Sequence, residues 1–160
     1  MSDSDNTADA DAAASESPVL NIDAQYLKDL SFENPGAPAS LVASSEAPSI
    51  NVSVDVGAKQ TGETQFEVEI SVTAEASRAE EKIFLCEAVY AGIFTLKNFP
   101  KEALEPVCLI ECPRFIFPFL RRIVADATRD GGFPPLMLEP IDFAQLYQNS
   151  RQAAGSDAVN

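Results

Sequence analysis

Two pairs of residues have side-chain types and spacings that could support chemistry. Glu67 and Glu69 are two positions apart in a segment of alternating polarity, so on a strand their carboxylates would point the same way, about 7 Å apart. Glycosidases use carboxylate pairs at such separations. Cys108 and Cys112 are one helical turn apart and would face the same way, as two ligands of a metal ion can.

Each pair also has a plainer interpretation. A wet strand face does not raise the pKa of a carboxyl group, and no aromatic platform for a sugar accompanies the glutamates, which favours a solvated acidic face. The third cysteine, Cys86, precedes Cys108 by 22 residues and the chain has no His, so a zinc site lacks its fourth ligand. We therefore expect the cysteines to be small buried hydrophobic residues, with no metal and no cofactor.

Motifs of the common enzyme classes are also missing from the sequence. There is no phosphate-binding GxxxxGK[ST] loop, no GxGxxG and no GxSxG nucleophile elbow. A cysteine nucleophile would have no imidazole to activate it. The sequence therefore predicts no catalytic residues and a protein that is not an enzyme.

Net charge narrows the range of partners. The 160 residues include 11 Lys and Arg against 25 Asp and Glu, for a net charge of -14. Such a chain has no surplus of bases for nucleic acid or for an anionic membrane surface. It has no basic start followed by an apolar stretch and no apolar run of 18 residues, so we expect a cytoplasmic protein without direct membrane insertion. The odd number of cysteines, 3, agrees with a reducing compartment.

The charge is unevenly placed along the chain. Residues 1–18 contain five acids, no base and few apolar side chains, which predicts a disordered acidic extension. Residues 151–160 are small and polar, which predicts a flexible tail. Residues 19–150 then form one folded domain that keeps 10 bases and 19 acids, a net charge of -9.

Alternating polarity predicts strands in the first half of this domain. Apolar residues alternate with polar ones over 50–56 and 66–74, joined by a hairpin loop over 57–63, and 20–32 is also extended. A further strand over 82–94 is apolar on both faces, which indicates that something covers part of its outer face. A loop of the same chain and a second subunit are the two alternatives. The Pro-rich segment 34–49 is predicted to be a long functional loop.

Helical periodicity follows in the second half. Pro113 suits a first helical turn, the apolar positions Ile116, Leu120, Ile123 and Ala127 follow it, and Gly131 and Gly132 end the helix. Asp142 is predicted to cap a short amphipathic helix that carries Phe143, Leu146 and Tyr147. The predicted fold class is α+β: a four-stranded antiparallel sheet followed by a long and a short helix.

Several short motifs in register resemble one family. They are DLSFENP at 29–35, EEKIFLCE at 80–87, AGIF at 91–94, FPPL at 133–136 and PIDF at 140–143, together with Cys112-Pro113 and Phe117-Pro118. In their order and spacing, from about Leu20 to Gln152, the sequence resembles the SecB protein-export chaperones.

The resemblance implies a cytoplasmic homotetramer, built as a dimer of dimers, that holds secretory preproteins unfolded and delivers them to the translocation ATPase SecA. By match to the family's motifs, it implies a SecA-binding surface and an oligomer contact. Residues 19–150 would be the SecB-like chaperone domain. The SecA-binding surface would consist of Asp29, Glu33, Leu85 and Glu87.

For the oligomer contact the resemblance implies Cys86. Client proteins would bind in grooves lined by the loop 35–48 and the second helix, where our candidates are Phe143, Leu146 and Tyr147. An alternative remains open at this point: a SecB-like chaperone dedicated to another partner, such as a toxin–antitoxin system.

Overall fold

The computed structural model describes residues 16–157, so most of the predicted acidic extension, residues 1–18, lies outside the described part of the chain. Four long strands come first: β1 (Val19–Glu33), β2 (Ser49–Gln60), β3 (Gln65–Arg78) and β4 (Glu81–Lys97). They form one antiparallel sheet in the order β1-β4-β3-β2, which confirms the predicted sheet. Strands β1 and β2 are therefore its two edges.

Continuous helical turns follow the sheet. A 3-10 turn (Lys101–Ala103), a single α-turn α1 (Leu104–Pro106) and a π-helical stretch (Val107–Glu111) lead into the long helix α2 (Cys112–Asp130). A helix α3 (Phe143–Asp157) closes the described chain, and Asp142 caps it as predicted, since its Oδ1 accepts a hydrogen bond from the N–H of Gln145 at 3.0 Å. No helix within residues 16–157 is long and apolar enough to cross a membrane.

Helix α3 is longer than predicted. It continues through Arg151 to Asp157, so seven residues assigned to the flexible tail are helical. Small and polar residues alternate in this stretch, so it shows no helical periodicity of apolar residues. Gly155 is typical of a helix end, although a helix tolerates a glycine at modest cost. The position of the domain boundary at residue 150 stays a prediction.

The connections between β2 and β3 and between β3 and β4 are shorter in the structure than the sequence indicated. Gly57 lies inside β2 opposite Glu69, and the turn between β2 and β3 occupies only residues 61–64. The strands predicted over 66–74 and 82–94 also extend toward each other, so that only Ala79 and Glu80, with φ values of 48° and 67°, form the tight turn between β3 and β4. The sheet is correspondingly larger than the sequence indicated.

The core lies between one face of the sheet and helix α2. The inward side chains of β3 and β4 are almost fully buried, among them Val68, Ile70, Val72, Phe94 and Leu96. On α2 the buried positions are Cys112, Ile116, Leu120, Val124 and Thr128. We call the face of the sheet that packs against α2 the helix-covered face, and the opposite face of the sheet the outer face.

The row of apolar positions predicted for the long helix is wrong at its C-terminal end. Ile123 and Ala127 are only partly buried, because the buried row advances by four residues through Val124 to Thr128. Thr128 is polar, which is why the sequence pattern did not include it. The three cysteines are free thiols, and all three are buried as predicted.

Candidate functional site

An open apolar groove lies at the end of the sheet where β1 leads into the loop 34–48, which we call the crossover loop. Its volume is about 370 Å³. One wall is the crossover loop with Leu41 and Val42, and the other is the segment that follows α2, with Phe133 and Leu136. Strand residues Ile50, Arg78, Ile83 and Phe84 lie between the walls.

Close packing at the end of α2 positions the groove walls. The rings of Phe32, Phe84 and Phe133 form a cluster with centroid separations of 5.1 to 6.3 Å. Gly131 lets Phe32 approach, since a Cβ on Gly131 would lie 2.3 Å from that ring. Gly132 has a φ of +91° and packs under Leu41 of the opposite wall.

A buried threonine anchors one wall to the helix. The hydroxyl of Thr128 lies 3.0 Å from the carbonyl oxygens of Val124 and Ala125 and accepts a hydrogen bond from the N–H of Leu136 at 2.9 Å. Among the described residues, Thr128 is the one polar residue that is buried. Its hydroxyl therefore fixes the groove wall at Leu136 on the end of α2.

The groove continues along edge strand β2. Ile50, Val52, Val54 and Val56 alternate along β2 on the helix-covered face, opposite the buried residues Ala76, Ala74, Val72 and Ile70 of β3. Val52 is 45% exposed in the middle of this row. Val56 reaches a second, smaller pocket, which Leu109, Leu146 and Tyr147 line. We call this row, with the pocket at each end, the β2 track.

The structure separates the three predicted client-binding residues. Leu146 and Tyr147 line the same pocket at one end of the β2 track. Phe143 is only 2% exposed and packs edge-to-face on Phe117 with centroids 5.9 Å apart, so it belongs to the core. The larger groove is lined by the crossover loop, as expected, but by no residue of α3. Sequence reasoning did not assign Phe133 to the groove, because the motif FPPL is equally compatible with a place in the core.

The outer face carries the four residues predicted to bind SecA. Asp29, Ser31 and Glu33 of β1 lie opposite Val89, Glu87 and Leu85 of β4, respectively. All four predicted residues therefore occupy one face within three successive cross-strand pairs. Asp29, Glu33 and Glu87 are exposed, and no ion pair involves their carboxylates among residues 16–157. We call this region the acidic patch.

A bulge in β1 makes this arrangement possible. The β1–β4 register shifts between Leu27 and Asp29, which leaves Lys28 as an extra residue. Tyr26 already lies on the outer face, opposite Ala91, so in a regular strand Asp29 would point to the helix-covered face. The bulge moves Asp29 and Glu33 to the same face as Glu87.

A second group of acids on the outer face is paired with a lysine. Lys28 places its Nζ 3.0 Å from Glu67 and 2.8 Å from Glu69, and the Tyr26 hydroxyl donates a hydrogen bond to Glu67. These bonds to Tyr26 and Lys28 lower the pKa of Glu67. Both glutamates are therefore paired with Lys28, and the expectation of a solvated acidic face is wrong for this pair.

Tyr26 and Lys28 also account for part of the strand that is apolar on both faces, at Ala91. Their side chains reach from β1 to β3 across β4, and Ala91, which lies between Tyr26 and Glu69 in register, is 0% exposed. As for the first alternative, a loop of the same chain, the crossover loop lines the groove on the helix-covered side. The second subunit stays a prediction.

Cys86, the predicted oligomer contact, faces away from the acidic patch. It is 0% exposed, lies opposite Phe32 and Ala74, and packs in the core of its own chain. Burial raises the pKa of the Cys86 thiol. Any effect of this residue on assembly would therefore pass through its neighbours Leu85 and Glu87, which are on the outer face.

The sheet, the two helices and the open groove define the class of SecB-like chaperones. The solved Mycobacterium tuberculosis Rv1957 SecB-like chaperone, in complex with a ChAD peptide from the Rv1956 HigA1 antitoxin, has the same fold, with a TM-score of 0.64 over 76% of this chain and 90% of that one at 17% identity. A family model described as Preprotein translocase subunit SecB matches residues 13–154, and the chain belongs to the SecB family.

Curated relatives agree with this assignment. The protein-export protein SecB of Maricaulis maris is 54% identical over 158 residues, which cover 98% of this chain and 91% of the relative. That of Parvibaculum lavamentivorans is 56% identical over 144 residues, covering 90% and 86%. The predicted family is confirmed, and the protein is a chaperone of preprotein export.

Proposed function

We propose that the protein holds unfolded preproteins in the β2 track and hands them to SecA at the acidic patch. The observation that carries the first part is the continuity of the track. It has a pocket at each end, joined by the apolar row from Ile50 to Val56, in which Ile50 and Val52 are exposed and Val54 and Val56 are partly buried. Such a surface suits an extended apolar segment of any sequence, which is what unfolded clients share.

Backbone groups of β2 add to this sequence tolerance. Strand β2 is an edge of the sheet, and within residues 16–157 only β3 pairs with it. Its outer N–H and C=O groups are therefore available to an extended client, which can add as a further strand. Bonds to the main chain do not depend on the client's side chains, while the apolar row excludes folded, polar surfaces.

No catalytic step is needed for this role. A protein that binds the unfolded state and not the native one shifts the folding equilibrium by mass action. Several weak sites on one assembly reach useful affinity through their effective concentration. This favours the homotetramer, a dimer of dimers, that the family resemblance implies, and sedimentation should show the mass of four chains of 17.2 kDa each.

The track is tested by a pair of substitutions on one strand. Val52→Asp places a charge in the middle of the apolar row, whereas Ser53→Asp places the same charge on the outer face next to it. We expect Val52→Asp to weaken the binding of an unfolded preprotein by at least about tenfold and to abolish the delay of its refolding. Ser53→Asp should change neither. Equal client affinity for wild type and Val52→Asp would refute the track.

The acidic patch supports SecA as the basic partner. Asp29, Glu33 and Glu87 form no ion pair among the described residues, so their charges are available for docking, and Leu85 adds apolar area between them. Complementary charge gives fast, salt-sensitive association. The patch lies on the face opposite to the β2 track, so the chaperone can hold a client and contact SecA at once.

A charge reversal tests this second surface separately. Glu87→Lys should weaken SecA binding about tenfold and leave client affinity unchanged. The control is Glu63→Lys, an equal charge change at the exposed β2–β3 turn, which should have little effect on either. If Glu87→Lys lowers client and SecA affinity together, the two surfaces are not separate and the proposal is wrong in this part.

A further inference from the structure

The acids on the outer face fall into two groups, according to the strand that carries them. The three acids of the acidic patch, on β1 and β4, form no ion pair among residues 16–157. The outer face of β3 carries three more acids, Glu67, Glu69 and Glu75, and each of them pairs with a lysine. Lys28 pairs with the first two, and Lys82 pairs with the third at 3.6 Å. The free negative charge of the sheet therefore ends at β4.

The paired acids of β3 lie next to the acidic patch. Glu75 lies opposite Leu85, a residue of the patch. Glu69 is two positions along β3, or about 7 Å, from Ser71, which lies in the same cross-strand row as Asp29. Without their lysines, these carboxylates would extend the acidic surface across the sheet from β1 to β3.

Lys28 is placed so that it neutralises these neighbours and leaves the patch itself free. Its Nζ lies 3.0 Å from Glu67 and 2.8 Å from Glu69. Although Lys28 directly precedes Asp29, no ion pair joins the two within the described residues. The hydrogen bonds to Glu69 and Glu67 raise the pKa of Lys28, so it stays positively charged. One lysine thus removes two carboxylates from the surface that a basic partner meets.

We propose that Lys28 and Lys82 confine the free negative charge of the outer face to the acidic patch and so fix where a basic partner docks. This inference rests on the proposed docking of SecA and names the residues that determine its position. Complementary charge sets the register of a complex, and a protein gains specificity by making the alternative positions unfavourable. Without the lysines, a basic surface would gain attraction on β3 as well, and it would dock in more than one position.

The test is a double-mutant cycle with SecA as the probe and the intact protein, measured by isothermal titration calorimetry. Lys28→Met releases two carboxylates, so we expect it to bind SecA about threefold more tightly than wild type. In this background Glu87→Lys should weaken SecA binding by at most about threefold, instead of the tenfold expected for wild type. The matched control is Lys101→Met, which removes the same charge from the exposed turn after β4. It should leave the tenfold effect of Glu87→Lys unchanged.

Two further variants separate the charge of Lys28 from its contribution to the strand. Lys28→Arg keeps both ion pairs and should behave as wild type. Adding Glu67→Gln and Glu69→Gln to Lys28→Met removes the released carboxylates and should restore the full effect of Glu87→Lys. If this triple variant still docks SecA without dependence on Glu87, Lys28 acts by holding the strand, and the inference is wrong.

The remaining outcomes distinguish this inference from the proposed function. If Glu87→Lys weakens SecA binding equally in the wild-type and Lys28→Met backgrounds, the acidic patch stands and the role of the lysines is refuted. If Lys28→Met weakens SecA binding, the inference is also refuted. If Glu87→Lys has no effect in the wild-type background, the proposed docking surface fails together with this inference.

Discussion

The phenol of Tyr26 on β1 donates a hydrogen bond to the carboxylate of Glu67 on β3, across the intervening strand β4. Partial burial and this bond raise the pKa of Tyr26 to about 12. Hydrogen bonds from Tyr26 and Lys28 lower the pKa of Glu67. The two shifts make the stability of the sheet depend on pH at both extremes.

Tyr26→Phe should reveal both dependences. We expect a loss of about 1 kcal/mol at pH 7, because Glu67 loses a hydrogen-bond donor. The Tyr26 contribution is fully present below its unfolded pKa of about 10 and disappears as the pH rises toward 12. The contribution of Glu67 is present above its unfolded pKa, near 4.5, and disappears as the pH falls through its lower folded pKa.

Urea unfolding of wild type and Tyr26→Phe at pH 3, 7 and 11 measures these differences, and their stabilities should converge at both extremes. Absorbance at 295 nm gives an independent readout, since the chain has 3 tyrosines and the one titrating near pH 12 should be missing in the variant. A constant stability gap across the whole pH range would contradict the assigned bond.

Thr128→Val is predicted to destabilise the groove wall. Valine fills the same volume but leaves the N–H of Leu136 without its partner, at a cost of about 1 to 3 kcal/mol. Thr128→Ser keeps the hydroxyl and should retain most of that hydrogen bond. Denaturant midpoints of the three proteins give the comparison, and amide exchange at Leu136 should be faster in the valine variant alone. Unchanged exchange there would show that the hydroxyl does not hold the wall.

Gly131→Ala is predicted to destabilise by about 1 to 3 kcal/mol through crowding. Its backbone is in the ordinary right-handed region, with φ -74°, so the penalty comes from the Phe32 ring 2.3 Å from the new Cβ. Gly155→Ala in α3 is the control, because nothing lies within 4 Å of the corresponding Cβ. Calorimetry should show a lower Tm for Gly131→Ala only, and Phe32→Leu should restore part of it.

The three thiols are predicted to be unreactive in the native protein. All three are buried, and the interaction with Cys108 together with burial raises the pKa of the Cys112 thiol. Iodoacetamide at pH 8 should therefore modify none of them in buffer and all 3 in urea. Rapid labelling of one thiol in the folded protein, found by mass spectrometry, would contradict this burial.

Much of the sheet was predictable because its signal is local. The alternation over 50–56 and 66–74 identified both the strands and their buried faces. The faces of β1 were not predictable, because they depend on the bulge at Lys28. Nothing in the local pattern marks which residue of a strand is left unpaired.

The site was only partly predictable, because it depends on contacts between residues that are far apart in the sequence. Leu146 and Tyr147 line one pocket, but Phe143, one helical turn earlier, lies in the core because it packs against Phe117. Lys28, Glu67 and Glu69 meet across 39 to 41 residues of sequence. Such a contact requires knowing the strand order.

The distance between the two pockets of the β2 track limits which client segments can fill both of them. Ile50 at one end and Val56 at the other are six residues apart on a strand, which corresponds to about 20 Å. A client chain lying alongside in the same extended form advances by the same length per residue. Under the proposed function, the best clients therefore carry two bulky apolar side chains about six positions apart, whatever residues occupy the positions between them.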